Sequence, residues 1–303
     1  MSLTSTMKAL VPAPLKRLAK GFMKRSARER FEREAIRLDQ TAIVCGLRAA
    51  GLQRGDALFI HSSLKGLGFI DGGAATVIAA FQEVVGPDGL LVFPTFTING
   101  SMQATLSDAQ HVFDPKASAS TVGAITNTFW RSPGVLRSSH PTHSVAAWGR
   151  DAEWLVKDHH KASSNFGNGT PFGRFLELNG KVVGLGVGFG PVTFYHVVED
   201  LHPELFPGVY LAQAMAAQVK LPDGSLSTMS ARCHAPAHHA RRIDKDVVIE
   251  NYWAERLVEG GIAHRTALGQ GAVWWMGAAE LVREQEAAQL QGISIYSIQD
   301  SKS

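Results

Sequence analysis

Cysteine is scarce in this sequence, and long apolar runs are absent from it. Cys45 and Cys233 are too few for a disulfide framework and lack metal-ligand spacing. Their small number fits a reducing compartment, where such cysteines usually pack as small apolar residues. No apolar segment approaches the roughly 20 residues that span a bilayer, and no signal-peptide core is visible. We therefore expect a soluble, cytoplasmic protein.

Several catalytic signatures are also missing. The chain has neither GxxxxGK[ST] nor GxGxxG in its usual position, which argues against a P-loop or a nicotinamide site. The absence of GxSxG counts against a serine hydrolase that uses Ser62 or Ser63 as nucleophile. The absence of HExxH counts against a common type of zinc hydrolase.

Basic residues are concentrated at the start of the chain. Residues 1–38 contain ten Lys or Arg against three Glu, a net charge of +7, which leaves −4 for the rest of a chain whose total is +3. We interpret this segment as a helical extension that packs on the body or on a second copy in a homo-oligomer. A weak contact with an anionic membrane surface is the alternative. The slightly acidic remainder argues against nucleic acid as a partner.

Hydrophobic periodicity divides residues 39–303 into strands and helices of a single domain. Buried strands are predicted over 57–64, 90–96, 144–149 and 181–187, with further strand-like sequence over 209–221. Helices are predicted over 36–51, 72–86, 121–130, 172–178, 244–260 and 277–288. The polar stretches 97–120 and 158–171 are interpreted as exposed loops. Strands that are apolar throughout indicate an α/β sheet covered on both faces.

Ligands of such a sheet collect at the carboxyl ends of its strands. The polar residues 61–63 follow one strand, and Pro94-Thr95 end another. Between them, Asp71 is predicted to cap a helix, and Gly72-Gly73 would let a phosphate group approach its exposed amides. An ordinary capped turn explains the same residues.

The segment RSSHPTHSVAAWG (137–149) places His140 and His143 just before a buried strand. Together with His196 and Glu199 they could ligate zinc, which leaves a zinc-dependent hydrolase open. Pro141 between them prevents a regular helical ligand pair, so hydrogen bonding is the favoured interpretation. The histidines of other polar or alanine-rich segments are interpreted as surface residues: His159, His160, His234, His238 and His239.

The segment LGVGFGPVTFYHVVED (185–200) is the most informative in the chain. Thr193, His196 and Glu199 lie at the start of a helix that this segment predicts. His and Glu three residues apart share one helix face, and a carboxylate beside an imidazole fixes its tautomer and raises its basicity. The pair therefore indicates a general base. A surface salt bridge is the alternative.

Six segments occur in an order that resembles the aminoglycoside 3-N-acetyltransferase family. They are HSSLKGLG with DGG (61–73), GLLVFPTF (89–96), FDPKASAS with VG (113–123), RSPGVLRSSHPTHSVAAWG (131–149), TPF (170–172) and TFYHVVE (193–199). The resemblance covers about residues 40–290 and is most specific in SHPTHSVAAWG. It implies a central, mixed and largely parallel sheet flanked by helices, distinct from the GNAT fold. It also implies acetyl transfer from acetyl-CoA to a small-molecule amine, without a metal.

The same resemblance assigns roles by position. It implies a coenzyme A cradle at His61, Ser62, Ser63, Leu64, Asp71, Gly72 and Gly73, and a pantetheine site at Pro94, Thr95, Ser144 and Val145. His196 matches the catalytic histidine and Glu199 its carboxylate partner, while Thr193 or a nearby amide would stabilise the oxyanion. His140, His143, Phe189 and Tyr195 are assigned to the amine site.

One departure concerns the amine site. Where resistance enzymes commonly carry a polar run like GHNSNTSLH, this chain has GFGPVTFYH (188–196). The predicted loops 97–120 and 158–171 also contain few carboxylates that could bind a polycation. We expect N-acetylation of an aminoglycoside or another amino sugar. The alternatives are an amino sugar on a nucleotide used in surface-polysaccharide synthesis, a zinc-dependent hydrolase, and a non-catalytic binding module tethered through residues 1–38.

Overall fold

The computed structural model describes residues 34–298. Most of the predicted helical extension, with its expected membrane or subunit contact, lies outside these residues. Its described end, Arg37–Leu38, is a strand (β1) that pairs in parallel with Phe69–Ile70 (β3) of the body. Among the helices of residues 34–298, none combines the length and the apolar character that crossing a membrane requires.

The predicted helices are confirmed, with ends that move by a few residues. The helices are α1 (Gln40–Ala49), α2 (Ala74–Val85), α3 (Met102–Ser107), α4 (Ala124–Phe129), α5 (Ala152–Val156), α6 (Pro171–Glu177), α7 (Tyr195–Leu201), α8 (Pro236–Ala240), α9 (Val247–Trp253), continued by a π-helical segment (Ala254–Glu259), and α10 (Ala278–Gln289). Besides β1 and β3, the strands are β2 (Ala57–Ser62), β4 (Leu90–Pro94), β5 (Val112–Phe113), β6 (Leu136–Arg137), β7 (Val145–Gly149), β8 (Lys181–Leu185), β9 (Met215–Lys220), β10 (Leu226–Ala231), β11 (His264–Leu268), β12 (Gly271–Gly277), β13 (Ile293–Ser294) and β14 (Ser297–Ile298).

A seven-stranded sheet in the order β11-β12-β8-β2-β4-β7-β6 forms the centre. The predicted mixed sheet is confirmed, but its largely parallel character is wrong. Strand β2 runs parallel to β8 and β4, whereas the other four pairings are antiparallel. Antiparallel neighbours need only a short connection, such as the turn between β11 and β12, whereas parallel neighbours need a crossover. The apolar strand pattern does not distinguish the two.

Alternate residues of the central strands face two apolar layers. In β2, Leu58 and Ile60 pack with α1 and α2 on one face of the sheet. Phe59 points to the other face, where the larger cluster includes Val197 and Val198 of α7. The helix that carries His196 is therefore fixed to the sheet by core packing.

The two segments interpreted as exposed loops are partly buried, so that prediction was wrong. Residues 97–120 include α3 and β5, where Met102 and Phe113 are buried, and β5 joins a small sheet in the order β10-β9-β5. In 158–171, His159 and Phe166 are fully buried. Single anchoring residues in a polar stretch produce no periodicity, which is why the pattern did not reveal them.

Candidate active site

Glycines position the loop between β8 and α7. A Cβ at position 190 would lie 2.1 Å from the carbonyl oxygen of Asp244, so only glycine allows this approach. The carboxylate of Glu250 accepts hydrogen bonds from the amides of Phe189 (2.8 Å) and Gly190 (2.9 Å). The backbone that leads into α7 is thus held on both sides.

The predicted His–Glu pair is confirmed as a contact. The Nδ1 of His196 donates to both carboxylate oxygens of Glu199 at 3.0 Å. His196 is 6% exposed and Glu199 is fully buried, so the surface salt-bridge interpretation is wrong. With its Nδ1 proton directed at the carboxylate, the imidazole carries its lone pair on Nε2.

Glu199 is also the acceptor for two further donors. The Nε2 of His234 lies 2.9 Å from Oε2, and the hydroxyl of Tyr296 donates to Oε1 at 2.6 Å. Three donors from three parts of the chain therefore converge on one carboxylate. His234 was interpreted as a surface residue, which is wrong, because its side chain is 10% exposed and its backbone pairs with Tyr210 beyond the end of β10.

The charges of the pair suit proton transfer. Burial alone would raise the pKa of the Glu199 carboxyl, but the adjacent imidazoles of His196 and His234 hold that pKa well below its usual range. Burial lowers the pKa of His196, and the Glu199 charge partly opposes that effect. At neutral pH the arrangement is an ionised carboxylate beside a neutral imidazole, which can accept a proton.

Aromatic rings surround the imidazole. Phe166 stacks on His196 with 5.2 Å between centroids, and the ring of His234 lies 4.7 Å from it. Phe166 also contacts His143 edge-on at 4.7 Å, and Tyr210 covers His234 at 4.6 Å. Phe166 therefore covers one face of the His196 ring.

The histidines of segment 137–149 do not join His196 and Glu199 as a zinc set. The Nδ1 of His140 accepts hydrogen bonds from the amides of Thr142 (3.2 Å) and His143 (2.9 Å), so it stabilises a turn. Burial lowers the pKa of His140 to about 3. His159, interpreted as a surface residue, is fully buried beside His140 with 4.6 Å between rings, so that interpretation is wrong.

Within residues 34–298, one group of His, Cys, Asp or Glu side chains has the spacing of metal ligands. Its members are His196, Glu199 and His234, whose ligand atoms lie within 4.8 Å of one another. The hydrogen bonds already described engage His196 Nδ1, His234 Nε2 and both carboxylate oxygens of Glu199. The zinc set predicted as an alternative combined His196 and Glu199 with His140 and His143, and these two histidines do not belong to this group.

The predicted coenzyme A cradle begins at the end of β2. His61 is buried on the face of β2 that carries Phe59, and burial lowers its pKa to about 3. Ser62 ends the strand, and the amide of Ser63 donates to the carbonyl of Leu185 in β8. Leu64 begins a 3₁₀ turn that ends at Gly66. The hydrogen bond of Ser63 links the ends of the parallel strands β2 and β8, and the coenzyme A role of residues 61–64 stays a prediction.

At the start of α2, the capping residue differs from the prediction. Gly73 is the N-cap, and Asp71 instead pairs with Arg37. Gly72 and Gly73 have φ of 78° and 65°, and a Cβ at Gly73 would meet nothing within 4 Å. No side chain caps the first turn of α2. Its amides therefore remain available to an anion, as the glycine pair in the sequence suggested.

The predicted pantetheine residues are buried and interlocked. Pro94 pairs with Val145 between β4 and β7, and Thr95 Oγ1 lies 2.9 Å from Ser144 Oγ. The Nε of Arg137 donates to both hydroxyls, at 3.1 and 3.2 Å. Their side chains contact protein rather than an open surface, and their assignment remains a prediction.

The other predicted site residues surround α7. Thr193 is buried and its carbonyl accepts a hydrogen bond from the amide of His196. Phe189 packs on Trp274 with 4.5 Å between rings, and Tyr195 packs on Trp253 at 5.5 Å. Both rings are almost fully buried. Their roles in binding an amine, like those of His140 and His143, stay predictions.

Comparison with known proteins identifies the group to which these features belong. The sequence profile of the aminoglycoside 3-N-acetyltransferase family matches residues 59–289. This chain belongs to that family. The matched segment contains His196, Glu199 and His234, but ends before Tyr296.

Individual members of the family match shorter stretches. Aminoglycoside N(3)-acetyltransferase III from Salmonella sp is 36% identical over 170 residues, which are 52% of this chain and 59% of that protein. The Serratia marcescens enzyme of the same name is 33% identical over 173 residues, 54% of this chain and 64% of its own. The chain thus spans less than two thirds of the length of these relatives.

Solved structures extend the likeness over most of the fold. The crystal structure of aminoglycoside acetyltransferase AAC(3)-Xa is 25% identical with a TM-score of 0.68, covering 89% of this chain and 97% of that one. That of AAC(3)-IIb gives the same identity and TM-score over 84% and 97%. The expected fold of this family is confirmed.

Proposed function

We propose that this chain is an acetyl-CoA-dependent N-acetyltransferase in which His196 is the general base and Glu199 orients it. The observation that carries the proposal is the buried His196–Glu199 hydrogen bond, with an ionised carboxylate beside a neutral imidazole. Membership of the aminoglycoside 3-N-acetyltransferase family supports the reaction class.

The chemistry requires a base of this kind. Aliphatic amines have pKa values of about 8–10 and are mostly protonated at neutral pH, so they must lose a proton to attack a thioester. The Nε2 of His196 accepts this proton, and Glu199 stabilises the imidazolium that forms. Thr193, or a nearby amide, is the candidate donor to the charge that develops on the acyl oxygen.

Acetyl-CoA would supply an activated acetyl group, and the start of α2 is the candidate site for its phosphates. The first-turn amides of α2 have no side-chain cap, and Gly73 leaves space above them. A helix N-terminus of this form suits the phosphates of a nucleotide. Residues 61–64 and 71–73 would hold that end, and Pro94, Thr95, Ser144 and Val145 would shape the path toward His196.

An aminoglycoside is the first acceptor to test. The relatives named above are aminoglycoside N(3)-acetyltransferases. Among proteins that share the fold at lower identity, one is described in complex with a gentamicin and another bound to sisomicin. Neither finding favours the nucleotide-linked amino sugar or the hydrolase that the sequence left open.

The decisive experiment combines a panel of acceptors with one variant. Thiol release from acetyl-CoA would be measured with aminoglycosides and other amino sugars. We expect turnover with an aminoglycoside, and a fall in kcat of roughly 10²–10⁴ in His196→Ala. Calorimetry should show acetyl-CoA binding that changes little in the variant, because the imidazole acts on the amine. Failure of wild-type protein to bind acetyl-CoA, or wild-type turnover in the variant, would refute the proposal.

A further inference from the structure

The hairpin β13–β14 is buried at its tip. Its two strands are half-buried, whereas the tip residues Ile295 and Tyr296 are almost fully buried. The carbonyl of Ile295 accepts a hydrogen bond from the amide of Ile243 at 2.8 Å. Loop tips are usually exposed, so an inserted tip needs a cause.

The hairpin tip brings the hydroxyl of Tyr296 into hydrogen-bonding distance of the Glu199 carboxylate. The hydroxyl of Tyr296 lies 2.6 Å from Oε1 of Glu199, which is 97 positions earlier in the chain. Burial and the charge of Glu199 both raise the pKa of Tyr296, so its hydroxyl stays protonated and donates. The edge of the ring is held by His238, with 5.5 Å between centroids. Tyr296 lies beyond the segment that the family profile matches.

We infer that Tyr296 is a positioning residue that acts through Glu199 on His196, a role that rests on the proposed acetyl transfer. Glu199 must keep both oxygens on the Nδ1 of His196 for the imidazole to hold its tautomer. The donors Tyr296 and His234 prevent the carboxylate from rotating. Without the Tyr296 hydroxyl, Oε1 of the buried Glu199 carboxylate loses one of its hydrogen-bond donors.

The hydroxyl also sets the electrostatic balance of the pair. A donor to Glu199 withdraws charge from the carboxylate and weakens its hold on an imidazolium. Loss of that donor should therefore raise the pKa of His196. The other titratable or charged groups that contact or act on His196, Glu199 or Tyr296 are His143, Asp200, Tyr210, His234, His238, Arg242 and Asp244. All of them remain in a Tyr296→Phe variant, so a shift in that variant reports the hydroxyl.

The test compares Tyr296→Phe with Tyr252→Phe. Tyr252 contacts Trp253 and Arg256 in α9 and its π-helical continuation, away from Glu199, and it loses the same atom. In Tyr296→Phe we expect kcat to fall roughly 10-fold, the size of one hydrogen bond to a charged group. KM for both substrates should stay within about 2-fold. Because the base must be neutral, the acidic limb of the kcat profile should move to higher pH.

Two further measurements separate the possible failures. NMR titration of His196 without substrates should show the same rise in pKa, whether or not acetyl transfer is the reaction. In the double variant with Glu199→Gln, loss of the hydroxyl should cost almost nothing more, because its partner charge is gone. Equal behaviour of Tyr296→Phe and Tyr252→Phe in titration and pH profile would overturn the inference. Absence of acetyl transfer in wild-type protein would refute the proposed function alone.

Discussion

Phe166 lies face to face with His196, with 5.2 Å between ring centroids and 29° between planes. The amide of Phe166 donates to Asp200 at 2.8 Å, and Asp200 is paired with Arg232 at 2.8 Å. A partly buried ion pair therefore fixes the loop whose aromatic ring covers the imidazole. The orientation of His196, the proposed base, depends on this ring as well as on Glu199.

Replacing Phe166 by leucine should separate orientation from stability. We expect Phe166→Leu to lower kcat roughly 10-fold, because small displacements of a catalytic group are costly. Its control is Phe175→Leu, which removes an equally buried ring that contacts Phe59 and Phe194 rather than His196. Each variant should lose about 1–2 kcal/mol of unfolding free energy. Equal losses of kcat would show that general loosening, not the stack, matters.

Glu199→Gln should keep the shape of the pair and remove its charge. We expect kcat to fall by roughly 10²–10⁴, since a neutral amide no longer stabilises the imidazolium or fixes its tautomer. The pKa of His196 should fall, because the opposing effect of the carboxylate is lost, so the acidic limb should move to lower pH. The matched variant Glu284→Gln breaks a half-buried pair with Arg256 elsewhere. An unshifted limb in Glu199→Gln would contradict the assignment.

The local part of this site could be predicted from sequence, and the distant part could not. His196 and Glu199 are three residues apart, so helix geometry alone brings them together. His234 and Tyr296 reach the same carboxylate from 35 and 97 positions away. Those contacts depend on how β10 and the C-terminal hairpin pack, which no period in the sequence encodes. The direction of the sheet strands was missed for the same reason.

Arg137 is a buried cation that joins the ends of β4, β6 and β7. It donates to the Thr95 hydroxyl and carbonyl, at 3.1 and 2.7 Å, and to the carbonyl of Ser118. Burial lowers its pKa to about 9, which leaves it charged at neutral pH. Arg137→Met should lower the unfolding free energy by about 2–4 kcal/mol, because buried acceptors lose their donor.

Arg131 provides the control for this variant. Both guanidinium groups lie on the ring of Trp130, at 4.1 Å for Arg131 and 4.7 Å for Arg137. Arg131 is exposed. We expect Arg131→Met to lower the unfolding free energy, measured with urea, by at most about 1 kcal/mol. Arg131 also donates exposed hydrogen bonds to Asn127. If the two variants are equally stable, the buried hydrogen bonds of Arg137 contribute no more than these exposed ones.

Buried histidines should make the protein unstable in acid. Burial lowers the pKa of His61 and of His140 from 6.5 to about 3, and that of His143 and His159 well below 6.5. The unfolded chain binds protons at these sites below about pH 6.5, whereas the folded protein does not. Stability is thus complete above that pH and is lost as pH falls toward 3, by about 1.4 kcal/mol per unit for each histidine.

Urea unfolding between pH 7.5 and 5 would measure this slope. His61→Leu should reduce the slope of unfolding free energy against pH by the equivalent of about one bound proton, since it removes a buried imidazole. Phe59→Leu, two residues away on the same face of β2, should lower stability at every pH and leave the slope unchanged. A wild-type slope in His61→Leu would mean that His61 binds a proton in the folded state. Its burial would then not exclude the charged form, contrary to the position of its ring against Phe59.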